Sequence, residues 1–278
     1  MNRIYDDKRF LILGSKGFIG TNLLNYLNSQ QINTEGFYEQ VSKDNVKTLS
    51  TQHFSNNTIV VNCMAKAVTP NTLAANIDLK INGEILEPLL QNFIESKGSK
   101  FIHLATKYET VSFPDVTPNR LHYVYSKQIG SAIVHKYIEI DPRIYILYLP
   151  TILKYNQTEG RFFIDFLTKG LKGIPFEVFQ PNSKIRVATF SAFIASIIKI
   201  LSNESGNICE VTDEGEMQVL EFAMLLNAIL KQNHYAPVEI RIQGKALSQN
   251  LEINLNKYST QFISDIEEYI GFIARKLL

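Results

Sequence analysis

Apolar positions along the first half of the chain alternate between two patterns. Phe10-Leu11-Ile12-Leu13 and Thr58-Ile59-Val60-Val61-Asn62-Cys63 are short apolar runs, the mark of strands buried on both faces. Between and after them, apolar residues recur at helical spacing: Ile19, Leu23, Leu24 and Leu27, then Ile81, Ile85, Leu86, Leu89, Leu90 and Phe93. A second strand is expected around Thr34–Tyr38, another at Phe101–Leu104 and one more from Arg143 to Leu149, with a helix from about Tyr123 to Ile138. Strand alternating with helix at this interval predicts βαβ units and a parallel sheet with helices on both faces. In such sheets ligands bind beyond the carboxyl ends of the strands, so the residues that follow each strand are the ones to inspect.

The second half is less regular. Lys154–Gly160 is polar and reads as a loop, Phe162–Leu171 as a helix, and Gly173-Ile174-Pro175-Phe176 as a turn into an extended piece. Phe190–Leu201, Met217–Leu230 and Phe262–Leu277 carry helical apolar stripes. The expected architecture is therefore α/β: a doubly wound parallel Rossmann-type sheet with a smaller, mostly helical C-terminal lobe. We place the boundary so that 1–153, with part of 185–215 returning to it, forms the sheet domain, and 154–278 forms mainly the lobe.

Composition narrows the classes. The 278 residues are 45% apolar and 20% charged, enough to bury a full core, so disorder over most of the chain is excluded. Twenty-eight basic residues against 27 acidic ones, with no basic run longer than two, argue against nucleic acid as a partner. No apolar run approaches the ~20 residues that span a bilayer, and the polar start MNRIYDDKRF is unlike a secretory signal. Two cysteines, Cys63 and Cys209, are too few for a disulfide framework, which sets the expected location as cytoplasmic. The five histidines show no metal-ligand spacing with cysteine, so no metal site is expected. His103, inside a strand, is expected to be packed, His122 to be a partly exposed loop residue, and Cys63 to be buried and inert.

The first chemistry lies after the first strand, in Gly14-Ser15-Lys16-Gly17-Phe18-Ile19-Gly20. A tight strand-to-helix turn needs a residue tolerant of positive φ. Backbone approach to a pyrophosphate needs a position without a side chain, and close packing of helix on strand needs another. The helix N-terminus then presents N–H groups and a positive dipole end to the phosphates. An acid about twenty residues on would accept the ribose 2′-OH. Glu39 stands nineteen positions after Gly20 and favours NAD; Lys16 inside the turn could instead receive the 2′-phosphate of NADP. Both cofactors stay open.

A second constellation starts the helix after the Phe101–Leu104 strand. Tyr123 and Lys127 are four apart, hence on one helical face. Tyrosine is a poor base at neutral pH, with a free pKa of ~10, but a neighbouring ammonium favours the phenolate. Tyr123 could then move a proton to or from an alcohol or sugar oxygen. Of thirteen tyrosines, only Tyr123 has a lysine four positions on. Thr106, just past the strand, supplies a hydroxyl that could share that proton.

Together these residues resemble the extended short-chain dehydrogenase/reductases, which include nucleotide-sugar epimerases, dehydratases and 4-keto reductases. The resemblance covers most of the chain. Gly14 to Gly20, with Lys16, Gly17, Phe18 and Ile19 between, resembles the glycine motif. Val61-Asn62-Cys63-Met64-Ala65 is similar to the strand whose end, at Ala65, lines the cofactor. Asn82 resembles the family's helix asparagine, and Thr106, Tyr123 and Lys127 its catalytic triad. Leu149-Pro150-Thr151-Ile152 is similar to the segment touching the nicotinamide end, which puts Pro150 among the cofactor residues, while Lys127 would also hold the ribose. Arg186 resembles an arginine that contacts a substrate diphosphate, and Tyr108 is assigned to substrate as well.

Departures matter too. The dehydratases carry Asp-Glu directly after the threonine, where this chain has Lys107-Tyr108, so dehydration is not expected. Lys154, Ala192 and Phe193 also depart from the family pattern, which leaves the sugar unread. The chain is short for an epimerase and closer in length to the 4-keto reductases. The resemblance thus implies an NAD(P)H-dependent reductase of a keto group on a nucleotide-linked sugar or deoxysugar, acting in sugar-nucleotide and polysaccharide biosynthesis as a homodimer. The alternatives are an epimerase with tightly held NAD, and a non-catalytic nucleotide-binding protein.

Overall fold

A computed structural model describes residues 7–39, 41–42, 45–65, 79–110, 121–157, 161–247 and 253–277. The chain divides into two compact units, 1–149 with 196–211 and 150–195 with 212–278.

The first unit is a parallel sheet. Its strands are β1 (Arg9–Leu13), β2 (Thr34–Phe37), β3 (Thr58–Asn62), β4 (Lys100–Thr106), β5 (Ile144–Leu149) and β9 (Ile208–Glu210), in the spatial order β2-β1-β3-β4-β5-β9. Every pairing is parallel. From β1 the chain crosses to β2 on one side and then to β3 on the other, so a topological switch point lies between β1 and β3. Such a crevice at the carboxyl edge is where open α/β sheets bind ligands. The doubly wound Rossmann-type sheet expected from the apolar runs is the one observed.

Helices α1 (Phe18–Ser29), α2 (Val46–His53), α3 (Leu86–Glu95) and α4 (Leu121–Ile140) belong to this unit. Leu11, Leu13, Val60, Phe101, Ala105, Ile144 and Ile146 form one core with Val46 and Leu49 of α2, Leu86, Leu89, Leu90 and Phe93 of α3, and Val134 and Tyr137 of α4. The alternate strand residues Phe10, Ile12, Val61, Ile102 and Leu147 are equally buried, as a sheet covered on both faces requires.

Two expectations shift here. The helical stripe of Ile81–Phe93 is not one α-helix: Lys80–Glu84 is a π-helical turn, and α3 starts only at Leu86. Gly130 packs closely against this turn: a Cβ there would lie 2.0 Å from the Asn82 carbonyl oxygen. Strand β4 runs on to Thr106, so Thr106 closes the strand rather than following it.

The second unit contains β6 (Thr151–Leu153), α5 (Phe162–Leu171), β7 (Phe176–Glu177), β8 (Lys184–Thr189), β10 (Glu216–Gln218), α7 (Val219–Gln232), β11 (Ile240–Ile242), β12 (Lys245–Ala246) and α8 (Thr260–Leu277). Helix α6 (Phe190–Leu201) follows β8 directly. Two three-stranded sheets form, β10-β8-β6 and β12-β11-β7. The core is aromatic-rich: Phe163, Phe166, Phe176, Phe222, Tyr258, Phe262 and Tyr269 pack with Leu225, Leu226, Ile266 and Ile270.

Candidate active site

The glycine turn sits at the carboxyl end of β1, beside the switch point. Gly14 has φ +75°, and a Cβ there would lie 2.9 Å from the backbone of both Cys63 and Met64, at the end of β3. A Cβ on Gly20 would lie 2.3 Å from the Gly14 carbonyl oxygen. Backbone fills both places, so only hydrogen fits. Gly17 is the N-cap of α1; no side chain caps the helix and no acid stands in its first turn. Such a turn suits an anion, because among the described residues no side chain caps the positive end of the helix.

Ser15 is buried and its hydroxyl donates to the Phe37 carbonyl at 2.8 Å, which locks the turn to the end of β2. Lys16, Gly17, Tyr38 and Glu39 are exposed around it, and the Lys16 Nζ lies 5.9 Å from the centre of the Tyr38 ring. Phe18 and Ile19 are half-buried at the head of α1. Glu39 falls two residues beyond β2. The carboxylate inside β2 is Glu35, engaged by Arg9 and His53 at 3.4 and 2.9 Å.

The second cluster lies at the carboxyl end of β4 under α4. Lys127 is 2% exposed, and its Nζ donates to the Leu104 carbonyl at 3.1 Å, two residues before Thr106. Tyr123 precedes Lys127 by one turn on the same face and is half-buried. Ser131 follows by one turn, so 123, 127 and 131 form a single stripe along α4.

Glu109, in the 3-10 turn Lys107–Thr110, is 8% exposed. It accepts the Thr106 N–H at 2.9 Å through Oε1 and the Ser131 hydroxyl through Oε2. Its own carbonyl accepts from the Gln128 side chain at 2.8 Å. Burial pushes the Glu109 carboxyl up, although the charge of Lys127 and the two donors oppose this. Burial likewise pulls the Lys127 ammonium down, and the charge of Glu109 pulls it back.

His103 is packed, as expected, with 1% exposure. The Asn62 amide oxygen accepts from Met64 N–H at 3.1 Å, so its NH2 donates to His103 Nδ1 at 3.0 Å and the ring proton resides on Nε2. That Nε2 has no hydrogen-bond partner among the described residues. Burial first, then the Lys127 charge, hold His103 well below its ordinary value, so the ring is neutral. Asn82 is also buried; its amide donates to the Ser126 hydroxyl at 3.0 Å, which joins the π-helical turn to α4. Cys63 is half-buried rather than fully buried, and desolvation pushes its thiol up to about 12. His122 is exposed in the first turn of α4, not in a loop.

The remaining positions divide. Ala65 is exposed beyond β3, and Pro150 is buried directly after β5. The side chain of Tyr108 lies outside the described residues. In the second unit Arg186, on β8, is held bidentately by Asp213, with Nε at 2.8 Å and Nη2 at 3.0 Å from its oxygens. Sequence reasoning passed over Glu109, Ser131 and Asp213. A signal existed for Ser131, the third member of the Tyr123–Lys127 stripe. Among the described residues no group of metal-ligating side chains occurs, and no helix is long and apolar enough to cross a membrane.

No protein-family model and no curated protein matches the sequence. The fold has many likenesses among solved structures. The RMD protein from Pseudomonas aeruginosa, complexed with NADPH, aligns at TM-score 0.72 and 14% identity, covering 98% of this chain and 99% of that one. The dTDP-4-dehydrorhamnose reductase from Bacillus anthracis, in complex with NADP, aligns at 0.71 and 15%, covering 96% and 98%. The UDP-glucuronic acid 4-epimerase from Bacillus cereus, in complex with UDP-glucuronic acid and NAD, aligns at 0.66 and 17%, covering 97% and 100%. The chain thus shares its fold with these proteins over nearly its whole length.

Proposed function

We propose that the chain is an NAD(P)-dependent reductase of the keto group of a nucleotide-linked deoxysugar. One observation carries the reading: Lys127 is buried against β4 with Tyr123 one turn before it, at the same sheet edge as a glycine turn that no side chain could enter. The glycine turn fits a dinucleotide pyrophosphate, and Lys127 would reach its ribose. The reduced dinucleotide would supply a hydride to the keto carbon. Tyr123 donates its phenolic proton to the oxygen that becomes negative, Lys127 stabilises the phenolate left behind, and the Thr106 hydroxyl orients the substrate oxygen. The absence of acids at Lys107 and Tyr108, and the engagement of both Glu109 oxygens within the protein, speak against elimination of water.

The unit holding Gly14, Thr106, Tyr123 and Lys127 takes the dinucleotide in this reading, and the other takes the sugar nucleotide. Arg186 remains the candidate for its diphosphate, with its plane set by Asp213. Tyr108 and Pro150 belong to the same reading, on the substrate and the nicotinamide respectively. A homodimer in the cytoplasm, working in polysaccharide precursor synthesis, completes it. The fold likeness to the Bacillus cereus epimerase keeps epimerisation as the second reading.

The test supplies NADH or NADPH with a panel of 4-keto sugar nucleotides and follows the loss of reduced-cofactor absorbance. Stoichiometric loss is expected, with Tyr123→Phe lowering kcat at least ~100-fold, within the usual range of a lost proton donor, while cofactor affinity stays within about twofold. Product formed from a 4-hydroxy sugar nucleotide without added cofactor would instead identify an epimerase. An unchanged rate in Tyr123→Phe removes Tyr123 from the mechanism.

A further inference from the structure

We propose that Glu109 is a positioning residue of this site: the buried counter-charge that keeps Lys127 an ammonium and, through the Thr106 amide, fixes the end of β4. The inference deepens the reductase reading and rests on it for its catalytic meaning.

The geometry is specific. Lys127 and Ser131 are successive members of one face of α4. Glu109 is bonded to Ser131 through one oxygen and to the Thr106 N–H through the other, so the carboxylate lies between the end of β4 and the turn of α4 that follows Lys127. Gln128 clamps the backbone of the same 3-10 turn to α4. Two of the three residues assigned to proton transfer therefore depend on one carboxylate, Thr106 by a hydrogen bond and Lys127 by charge. A lysine this buried, whose hydrogen-bond partner among the described residues is the Leu104 carbonyl, would shed its proton without an opposing charge nearby.

The other titratable groups around Lys127 and Glu109 do not substitute for Glu109. His103 on β4 is neutral, with its Nδ1 occupied by Asn62. Tyr148 on β5 stays protonated, because burial and then the Glu109 charge push it up, and it meets His135 of α4 at 2.9 Å. Glu210 on β9 is engaged by Lys107 at 2.9 Å. Tyr123, one turn back, becomes negative only during turnover in the proposed mechanism. Among the described residues Glu109 is the carboxylate that acts on Lys127.

The experiment follows the Lys127 side chain directly. Protein labelled with 13C at lysine Cε is titrated by NMR without cofactor, and Lys127 is assigned by the resonance lost in Lys127→Met. Glu109→Gln keeps the shape and removes the charge, and should lower the Lys127 midpoint by about one unit or more. Glu109→Asp keeps the charge and should restore most of the shift. The alkaline limb of the kcat–pH profile should move down with the midpoint in Glu109→Gln, because a neutral Lys127 no longer polarises Tyr123.

A midpoint unmoved in Glu109→Gln, or moved equally in Glu109→Asp, overturns the assignment. Should Glu109→Gln fail to fold, Lys127→Met carries the reciprocal test. Removing the ammonium takes away a charge that lowers the Glu109 carboxyl, so the Glu109 midpoint, followed at 13C-labelled Cδ, must rise, and a fixed midpoint overturns the proposal. If the midpoint shifts as expected while the wild-type chain oxidises neither NADH nor NADPH, the reductase reading fails and the charge coupling stands.

Discussion

The two units reach their folds by different means. In the first, the turn after β1 is shaped by residues that have no side chain. Gly14 and Gly20 are walled in by backbone at 2.9 and 2.3 Å, and Gly130 lets α4 close on the Asn82 carbonyl. In the second, Gly215 has φ +84° with nothing within 4 Å of the place a Cβ would occupy, so conformation alone selects glycine there. That unit is instead organised by large rings: Phe166 meets Phe176 edge-on at 5.2 Å, and Tyr155 lies against Phe272 at 3.7 Å. A backbone-built cradle can be read from spacing, because glycine positions are sharply defined. A ring-built core specifies that a lobe folds but not what it holds, since many aromatic arrangements fill the same volume.

This contrast can be broken by exchanging the expected effects. The largest belongs to the ring-built unit. Phe166 is fully buried, so Phe166→Ala should lower stability by about 3–5 kcal/mol in urea unfolding. Dinucleotide affinity of the remaining folded protein should stay within about twofold. Loss of cofactor binding in folded Phe166→Ala would show that the cradle depends on the second unit, and the contrast would fail.

Gly20→Ala should do the reverse. Its Cβ meets the Gly14 carbonyl, which cannot swing aside as a flexible side chain would. A stability loss of about 1–3 kcal/mol is expected for such overpacking. Calorimetric titration should show dinucleotide affinity falling far more than in Phe166→Ala. Wild-type affinity in Gly20→Ala would remove the cradle from the argument.

The same division decides what the sequence made legible. The strands β1, β3, β4 and β5 announce themselves as apolar runs because both their faces are buried, and α1 and α4 follow at once from the period of 3.6. The glycine turn and the Tyr123–Lys127 pair are local, so spacing was enough to find them. Glu109 was not found, because its partners Thr106 and Ser131 are set by the crossing of β4 and α4, and a lone acid in a short polar stretch looks like surface. Asp213 is invisible for the same reason: it stands 27 residues from Arg186 and meets it only across the pairing of β8 with the segment before β10. The two- and three-residue strands β6, β7, β9, β10, β11 and β12 carry no periodicity to read, and even Ile208 of β9 is exposed. The π-helical turn at Asn82 keeps an apolar stripe that an α-helix would show equally well.

The smallest expected effect sharpens the comparison inside the first unit, at the opposite edge of its sheet. There, side chains do the holding. Asp141 at the end of α4 accepts from the Arg143 backbone N–H at 2.9 Å and from its guanidinium at 2.5–3.2 Å, while Arg143 Nη1 donates to the Gly98 carbonyl at 2.8 Å before β4. The hydrogen bonds from Arg143 hold the Asp141 carboxyl below its ordinary range. A depressed carboxyl stabilises the fold above its unfolded pKa of ~3.9 and loses that contribution as pH falls through the lower folded value. Arg143 is 34% exposed, so screening keeps the pair at about 1 kcal/mol or less. Asp141→Asn should therefore cost that much at pH 7 in urea unfolding, with the gap to wild type closing as pH drops below about 4. Dinucleotide affinity should not move, because this clip sits at the amino edge of the strands and the cradle at the carboxyl edge. A gap that widens on acidification would mean that Asp141 binds its proton more readily folded than unfolded, and that the Arg143 clip does not hold this edge.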